Sequence, residues 1–253
     1  MTEREERFQV GSQPRVVARA GSADVWVREG EAGTIEVTLR GSGAEAFRIE
    51  QIGDEVRITE ERHRRFDSGV RIGLTVPTGT ELDAATASGD LHADVSLAVL
   101  RAGTASGDIR ASAVTGDCNV RTGSGDVSLG MVDGRLRVLA ASGDVGVDRV
   151  TDASVQTASG DVTLREAVGE ARAKSASGDV TVRSFTGTEL EVGTVSGDIS
   201  VGMPRGRRVE LQLSTLSGRV RLPDAKPAGA ASGQAEARVA AKSVSGDILI
   251  QGL

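Results

Sequence analysis

The chain is poor in the side chains that most enzyme chemistry requires. Its 253 residues include one Cys, two His, one Trp, four Phe and no Tyr. Cys118 stands alone, so no intrachain disulfide forms and an oxidising compartment offers no advantage. It reads as a small core residue. Neither His falls in a loop cluster with partners, which leaves little for nucleophilic or general acid–base work and argues against an enzyme. No stretch approaches the roughly 20 apolar residues of a spanning helix, and the opening MTEREERFQV lacks a signal-peptide core. The expectation is a soluble, cytoplasmic protein. Positive charge is also scarce, with 30 Lys and Arg against 36 Asp and Glu, so no basic field exists for nucleic acid. The local exception, Arg62-His63-Arg64-Arg65, follows Glu60-Glu61 and reads as a solvated hairpin tip ahead of an anion-binding patch.

With so few aromatics the core must be built from Val, Leu, Ile, Ala and Thr, which suits narrow β-rich layers. What the sequence has in excess is a tripeptide. Ser88-Gly89-Asp90 recurs as Ser106-Gly107-Asp108, Ser124-Gly125-Asp126, Ser142-Gly143-Asp144, Ser159-Gly160-Asp161, Ser177-Gly178-Asp179, Ser196-Gly197-Asp198 and Ser245-Gly246-Asp247, and with Asp replaced as Ser217-Gly218-Arg219. Successive copies are 18, 18, 18, 17, 18, 19, 21 and 28 residues apart. A regular period of this length means one supersecondary unit stacked on copies of itself.

Within each period the apolar positions alternate. The residue after the motif is Leu91, Ile109, Val127, Val145, Val162, Val180, Ile199, Val220 or Ile248, and two positions on stands Ala93, Ala111, Leu129, Val147, Leu164, Val182, Val201, Leu222 or Ile250. Both columns are apolar throughout, which puts them on one strand face whose copies stack into a single core. A second turn follows about nine residues after each Ser, at Gly116, Gly134, Gly169, Gly187 and Gly206, with Asp152 in the short copy. The predicted fold is all-β: a parallel β-solenoid, or β-helix, of about 18-residue two-strand coils over residues 81–253. Residues 224–237, rich in Ala, Gly and Pro, read as a loop inserted into one coil. Residues 1–80 are strand-rich but less regular, a cap or a divergent first section of the same stack, and Gly21-Ser22-Ala23-Asp24 already resembles the later turn. There Trp26, between Val25 and Val27, reads as structural ahead of a ligand platform.

The motif itself reads as a corner. Gly permits conformations closed to other residues, Ser and Asp accept from nearby amides, and a hydroxyl column (Thr86, Thr104, Thr122, Thr157, Ser175, Thr194, Thr215, Ser243) shares the inward parity. A metal alternative assigns Asp90, Asp108, Asp126, Asp144, Asp161, Asp179 and Asp198 as calcium ligands. Stacked carboxylates about 5 Å apart repel by roughly 0.8 kcal/mol per pair even at the dielectric of water, so something must offset them. Against calcium, the second turn carries an acid only sporadically and Arg219 sits in the ladder. No other cofactor is suggested. A third reading, a carbohydrate-active β-helix enzyme using Asp of adjacent coils and a nearby Arg, needs long loops that these short turns do not supply. The chain ends Ile248-Leu249-Ile250-Gln251-Gly252-Leu253 with nothing left to cover the last strand. Ile248, Leu249, Ile250 and Leu253 are therefore expected to form an edge for self-association or for a protein partner.

The SGDVxV repeats, together with the lead-in Leu74-Thr75-Val76-Pro77-Thr78-Gly79-Thr80-Glu81-Leu82, resemble the bacterial "putative adhesin" β-strand-repeat family of unknown function, the DUF4097-like proteins, over roughly residues 20–253. The resemblance implies a β-solenoid, an association with the envelope, stress response or self-assembly, and no catalytic residues. With it, the expectation is a non-enzymatic scaffold or interaction protein, self-associating end to end or adhesin-like.

Overall fold

The computed structural model describes residues 2–61, 69–223 and 235–252. Among these the protein is all-β, with a single 3-10 turn at Ala44–Ala46 as its only helical element. The chain divides into two compact units, Met1–Gly134 and Arg135–Leu253.

In the first unit the strands Arg15–Ala20 and Asp24–Glu29 form one rung. They pair in parallel with Glu81–Thr86 and Leu91–Leu97 on one side, and with Glu55–Glu60 and Arg71–Val76 on the other. Residues 15–29 therefore share a sheet with the repeat, as a first section of it. The next rung, Val99–Thr104 and Ile109–Val114, stacks in parallel on 81–97, one 18-residue period further on. Beyond 55–76 the pairing turns antiparallel: Thr34–Arg40 runs against Arg71–Val76, Glu3–Gln9 against Thr34–Arg40, and Phe47–Ile52 against Glu55–Glu60.

In the second unit, Val145–Ser159 bends at its second turn and supplies both limbs of a rung. Its limbs pair in parallel with Val162–Ala167 and Glu170–Ser177. The latter pair with Val180–Phe185 and Glu189–Ser196, and Ile199–Met203 follows Val180–Phe185.

The alternation fixes what is inside. The two apolar columns are buried from Leu91 and Ala93 through Ile199 and Val201, and again at Ile248 and Ile250. The hydroxyls Thr86, Thr104, Thr122, Thr157, Ser175, Thr194 and Ser243 are buried beside them, and Thr215 is half-buried. Each inward residue contacts its copy one rung away at the strand spacing of about 4.8 Å, so a rung is stable only against its neighbours.

The rung order departs from the chain order at the C-terminal end. Ala237–Ser245 lies between Glu189–Ser196 and Val209–Ser217, and Ile248–Gly252 lies between Ile199–Met203 and Val220–Arg221. The last segment of the chain is thus inserted, and residues 209–221 form the outermost rung. This corrects the expected self-association edge. Ile248, Leu249 and Ile250 are paired on both sides, with Ile248 and Ile250 fully buried, and Leu253 lies outside the described residues. The exposed rung is the one before it: Val220 and Leu222, expected in the core, are 43% and 56% exposed, and among the described residues no further rung covers them. Most of the expected loop, residues 224–234, and the basic run Arg62-His63-Arg64-Arg65 also fall outside the described residues.

Candidate functional site

The carboxylates of the repeat form a ladder of backbone contacts. The amide of Asp90 donates to Oδ1 of Asp24 (3.1 Å), that of Asp108 to Asp90 (2.9 Å) and that of Asp126 to Asp108 (3.0 Å). In the second unit the Asp161 amide donates to Asp144 (2.8 Å), Asp179 to Asp161 (2.8 Å), Asp198 to Asp179 (2.7 Å) and Asp247 to Asp198 (2.7 Å). Finally the Arg219 amide donates to Asp247 (2.8 Å). Within each unit these rungs hand their carboxylates to the amide of the next, and this offsets the repulsion between stacked charges. Among the described residues the outermost rung has no successor to serve, and there the Asp is replaced by Arg219. That single substitution, legible in the sequence, marks the end of the stack and was the available sign that 237–252 is inserted.

The Ser and Gly of each motif build the corner itself. A Cβ on Gly107 would come within 2.0 Å of the Gly89 carbonyl oxygen, and one on Gly178 within 2.2 Å of that of Gly160. Glycine is required because one corner nests in the next. The carboxylates are spread one per rung, and among the described residues no three of His, Cys, Asp and Glu gather at metal-binding distance. Cys118 is buried, and burial pushes its thiol up to about 12, which leaves it protonated and unreactive at neutral pH.

A different site emerges from the cross-strand register of the first unit. Opposite one another, across the strands 34–40, 71–76, 24–29 and 91–97, stand Thr38, Gly73, Trp26 and His92. Arg40 and Arg71 stand beside Thr38 and Gly73 in the neighbouring row, and Thr75, Arg28 and Asp94 form the row on the other side. Val25 and Val27 point into the core, so period two turns Trp26 outward, and it is 44% exposed. Trp26 therefore lies on the surface and not in the core. Its indole stacks on His92 with centroids 4.7 Å apart and planes at 25°, and the Arg71 guanidinium carbon stands 5.6 Å from the ring centroid.

These rows line a groove of about 330 Å³. Its floor is Gly73, where the row has no side chain between Thr38 and Trp26. Arg28 donates from Nε to Thr75 Oγ1 (2.9 Å), and Arg40 is ion-paired with Glu3 (2.8 Å). Asp94 accepts from Ser112 Oγ (2.9 Å). The sequence held only one sign of this site, the lone Trp, because residues 26, 73 and 92 meet through pairing between distant strands. The arrangement can grip an anionic group beside an aromatic surface. It offers no nucleophile paired with a base.

Sequence comparison places the chain in a family once these features are in view. A model described as Toastrack DUF4097 matches residues 15–251. No curated protein is similar. Among solved structures, a putative lipid binding protein from Parabacteroides distasonis is 15% identical, with a TM-score of 0.56 over 99% of this chain and 96% of that one. A putative adhesin from Bacteroides fragilis is 14% identical, with a TM-score of 0.52 over 98% of this chain and 97% of that one. At such identities the likeness speaks for the fold alone. Both the family match and the repeat that carries it lead to one conclusion: the chain belongs to the Toastrack DUF4097 family.

Proposed function

We propose that this protein is a non-enzymatic, adhesin-like interaction protein: a parallel β-solenoid scaffold that presents recognition surfaces on the outward faces of its rungs. The solenoid reading rests on parallel pairing at the repeat period and on the Asp ladder, which gives the recurring carboxylate of the repeat a structural task. The binding reading rests on one observation, the outward Trp26 held between His92 and Arg71 beside an open groove. Exposed aromatic rings with an adjacent cation are features of recognition surfaces. The test is a screen of immobilised protein against glycan and peptide arrays, comparing wild type with Trp26→Ala. Because Trp26 lies outside the core, the variant should keep its circular dichroism and melting point. The expected result is a ligand retained by wild type and lost by Trp26→Ala; no ligand that depends on Trp26 overturns the reading.

A second reading, self-association, is favoured by the outermost rung. Among the described residues Val209–Ser217 and Val220–Arg221 are paired on one side only, and Leu216 is 85% exposed. The occupant we assign is a second copy of the same rung about a twofold axis. Arg219 offers no carboxylate to the amide of a further parallel rung, and the edge strand Glu3–Gln9 of the first unit is rich in Glu and Arg, which disfavours head-to-tail pairing. Light scattering across a concentration series should show a dimer for wild type and a monomer for Leu216→Glu; a wild type that stays monomeric throughout removes this reading.

A further inference from the structure

We infer that the groove over Gly73 binds the carboxylate of an acidic sugar, a hexuronic acid being the simplest case. The inference rests on the binding reading above and names its ligand class.

The first support is the floor. Gly73 has no positive φ, and a Cβ built there would meet nothing nearer than Thr38 Cβ at 3.5 Å, an ordinary contact. The fold therefore does not demand glycine at this position, unlike the repeat corners. Glycine in a strand interior lowers stability and marks places where something approaches the backbone closely. Its lack of a side chain opens a slot from Thr38 to Trp26, two strand spacings or about 9.6 Å between backbones.

The second support is charge. In a chain of net charge -6, this groove is lined by three guanidinium groups, Arg28, Arg40 and Arg71, and one carboxylate, Asp94. Arg40 is ion-paired and Arg28 is tied to Thr75. Arg71 stands over the indole and, among the described residues, has no ion-pair partner. Its planar fork is suited to a carboxylate, and the stacking holds it ready for one.

The third support separates an acidic sugar from a bare anion. The exposed part of the indole, 44% of the residue, offers apolar surface for the C–H groups of a pyranose to pack against. Thr38, Thr75 and Asp94 offer hydroxyl and carboxylate groups that pair with sugar hydroxyls, and Asp94 accepts from such hydroxyls but repels a dianion such as phosphate. A volume of about 330 Å³ is at the small end of ligand sites and accommodates one ring.

Trp26 is the only tryptophan, so its emission reports on the groove directly. Titration of the full chain with D-glucuronate should give a saturable change in emission. D-glucose and inorganic phosphate should bind at least tenfold more weakly. Arg71→Gln and Gly73→Leu, both at outward positions, should each weaken glucuronate binding tenfold or more while the melting temperature stays within a few degrees of wild type. Equal binding of glucose and glucuronate, tighter binding of phosphate, or full binding by Arg71→Gln each overturns the inference. If the array yields a Trp26-dependent ligand without a carboxylate, the acidic-sugar inference falls and the binding reading stands; if no ligand depends on Trp26, both fall.

Discussion

The same five residues turn the corner in two different ways. Thr-Ala-Ser-Gly-Asp occurs at 86–90, at 104–108 and at 157–161. In the first unit the strands end at Thr86 and Thr104, and the Thr hydroxyl accepts from the glycine amide of its own corner, at 2.6 Å for Gly89 and 2.8 Å for Gly107. Neither glycine has a positive φ. In the second unit the strand continues through Ser159, and Gly160 takes φ +136°. Its amide then donates across to the Ser177 carbonyl (3.0 Å). Gly178, Gly197 and Gly246 do likewise at φ +147°, +156° and +157°, with their amides on Ser196, Ser245 and Ser217. Hydroxyls released from the glycine amide donate instead to the preceding rung, as Ser175 does to Gly160 (3.1 Å) and Thr194 to Gly178 (3.0 Å). An identical pentapeptide cannot encode both outcomes by itself. The corner's polar groups bond to adjacent rungs, so one rung's conformation is favoured when its neighbour shares it, and each unit holds its own consistent type.

The largest effects should come from the corner glycines, where this comparison is easiest to break. Gly178→Ala forces a non-glycine residue to φ +147°, which costs about 1–3 kcal/mol, and drives a Cβ to 2.2 Å from a backbone oxygen, which adds strain of similar size. Gly107→Ala meets the Gly89 oxygen at 2.0 Å but carries no dihedral penalty. Urea unfolding followed by circular dichroism should therefore show a loss of about 3 kcal/mol or more for Gly178→Ala and a smaller one for Gly107→Ala. Equal losses would mean that steric nesting alone sets the glycine requirement and that the difference in φ has no energetic weight.

The Asp ladder should behave alike in both units, because it is the part of the corner they share. Asp108→Ala and Asp161→Ala each remove the acceptor for the next rung's amide, at 3.0 and 2.8 Å, and should each cost about 1.5–3 kcal/mol. Asparagine keeps an oxygen at that place and removes the repulsion from neighbouring carboxylates, so Asp161→Asn should come within about 1 kcal/mol of wild type. If Asp161→Asn is as damaging as Asp161→Ala, and calcium raises the melting point of wild type alone, the carboxylate is holding a cation and the ladder has a second role.

The hydroxyl column should separate the units again, more gently. In the first unit Thr104→Val strands the buried Gly107 amide, which costs about 1–3 kcal/mol. In the second, Thr194→Val removes only a donor to the Gly178 carbonyl while the Gly197 amide keeps Ser245, and the loss should be nearer 1 kcal/mol. A reversed order would show that the hydroxyls serve rung-to-rung bonding in both units.

These contrasts show where the sequence was sufficient. The inward columns were legible because a period of two needs only local information: Val162 and Leu164 face inward whatever else the chain does. Rung adjacency was not, since Ile248 fits against Ile199 as well as against Val220, and only the ladder's chemistry, ending in Arg219, distinguishes the places. The groove had even less local signature. Trp26 was read as structural because two valines flank it, although the period of two turns it outward, and its meeting with Gly73 and His92 depends on strands 47 and 66 residues away in sequence. The two corner types were wholly illegible, because nothing within the pentapeptide differs.

The smallest effect contrasts the groove, whose Arg71 has no ion-pair partner among the described residues, with an outward face of the second unit where charges are matched. There Glu191 lies 2.6 Å from Lys174 and is also bonded to Arg172 across the strand pair. The hydrogen bond from Lys174, then that from Arg172, holds its carboxyl below the ordinary value of 4.5. A carboxylate with a lowered folded value adds stability that is fully present above its unfolded value and is lost as pH falls through the folded one. The side chain is 37% exposed, so solvent screens the pair and its contribution should stay below about 1 kcal/mol. Thermal melts of wild type and Glu191→Gln should therefore differ slightly at pH 7, and that gap should narrow with added salt and close once the pH drops well below 4.5. A gap that survives in acid would assign the effect to the packing of the Glu191 stem against its neighbours, and the charge matching of this face would then have no part in holding its rungs together.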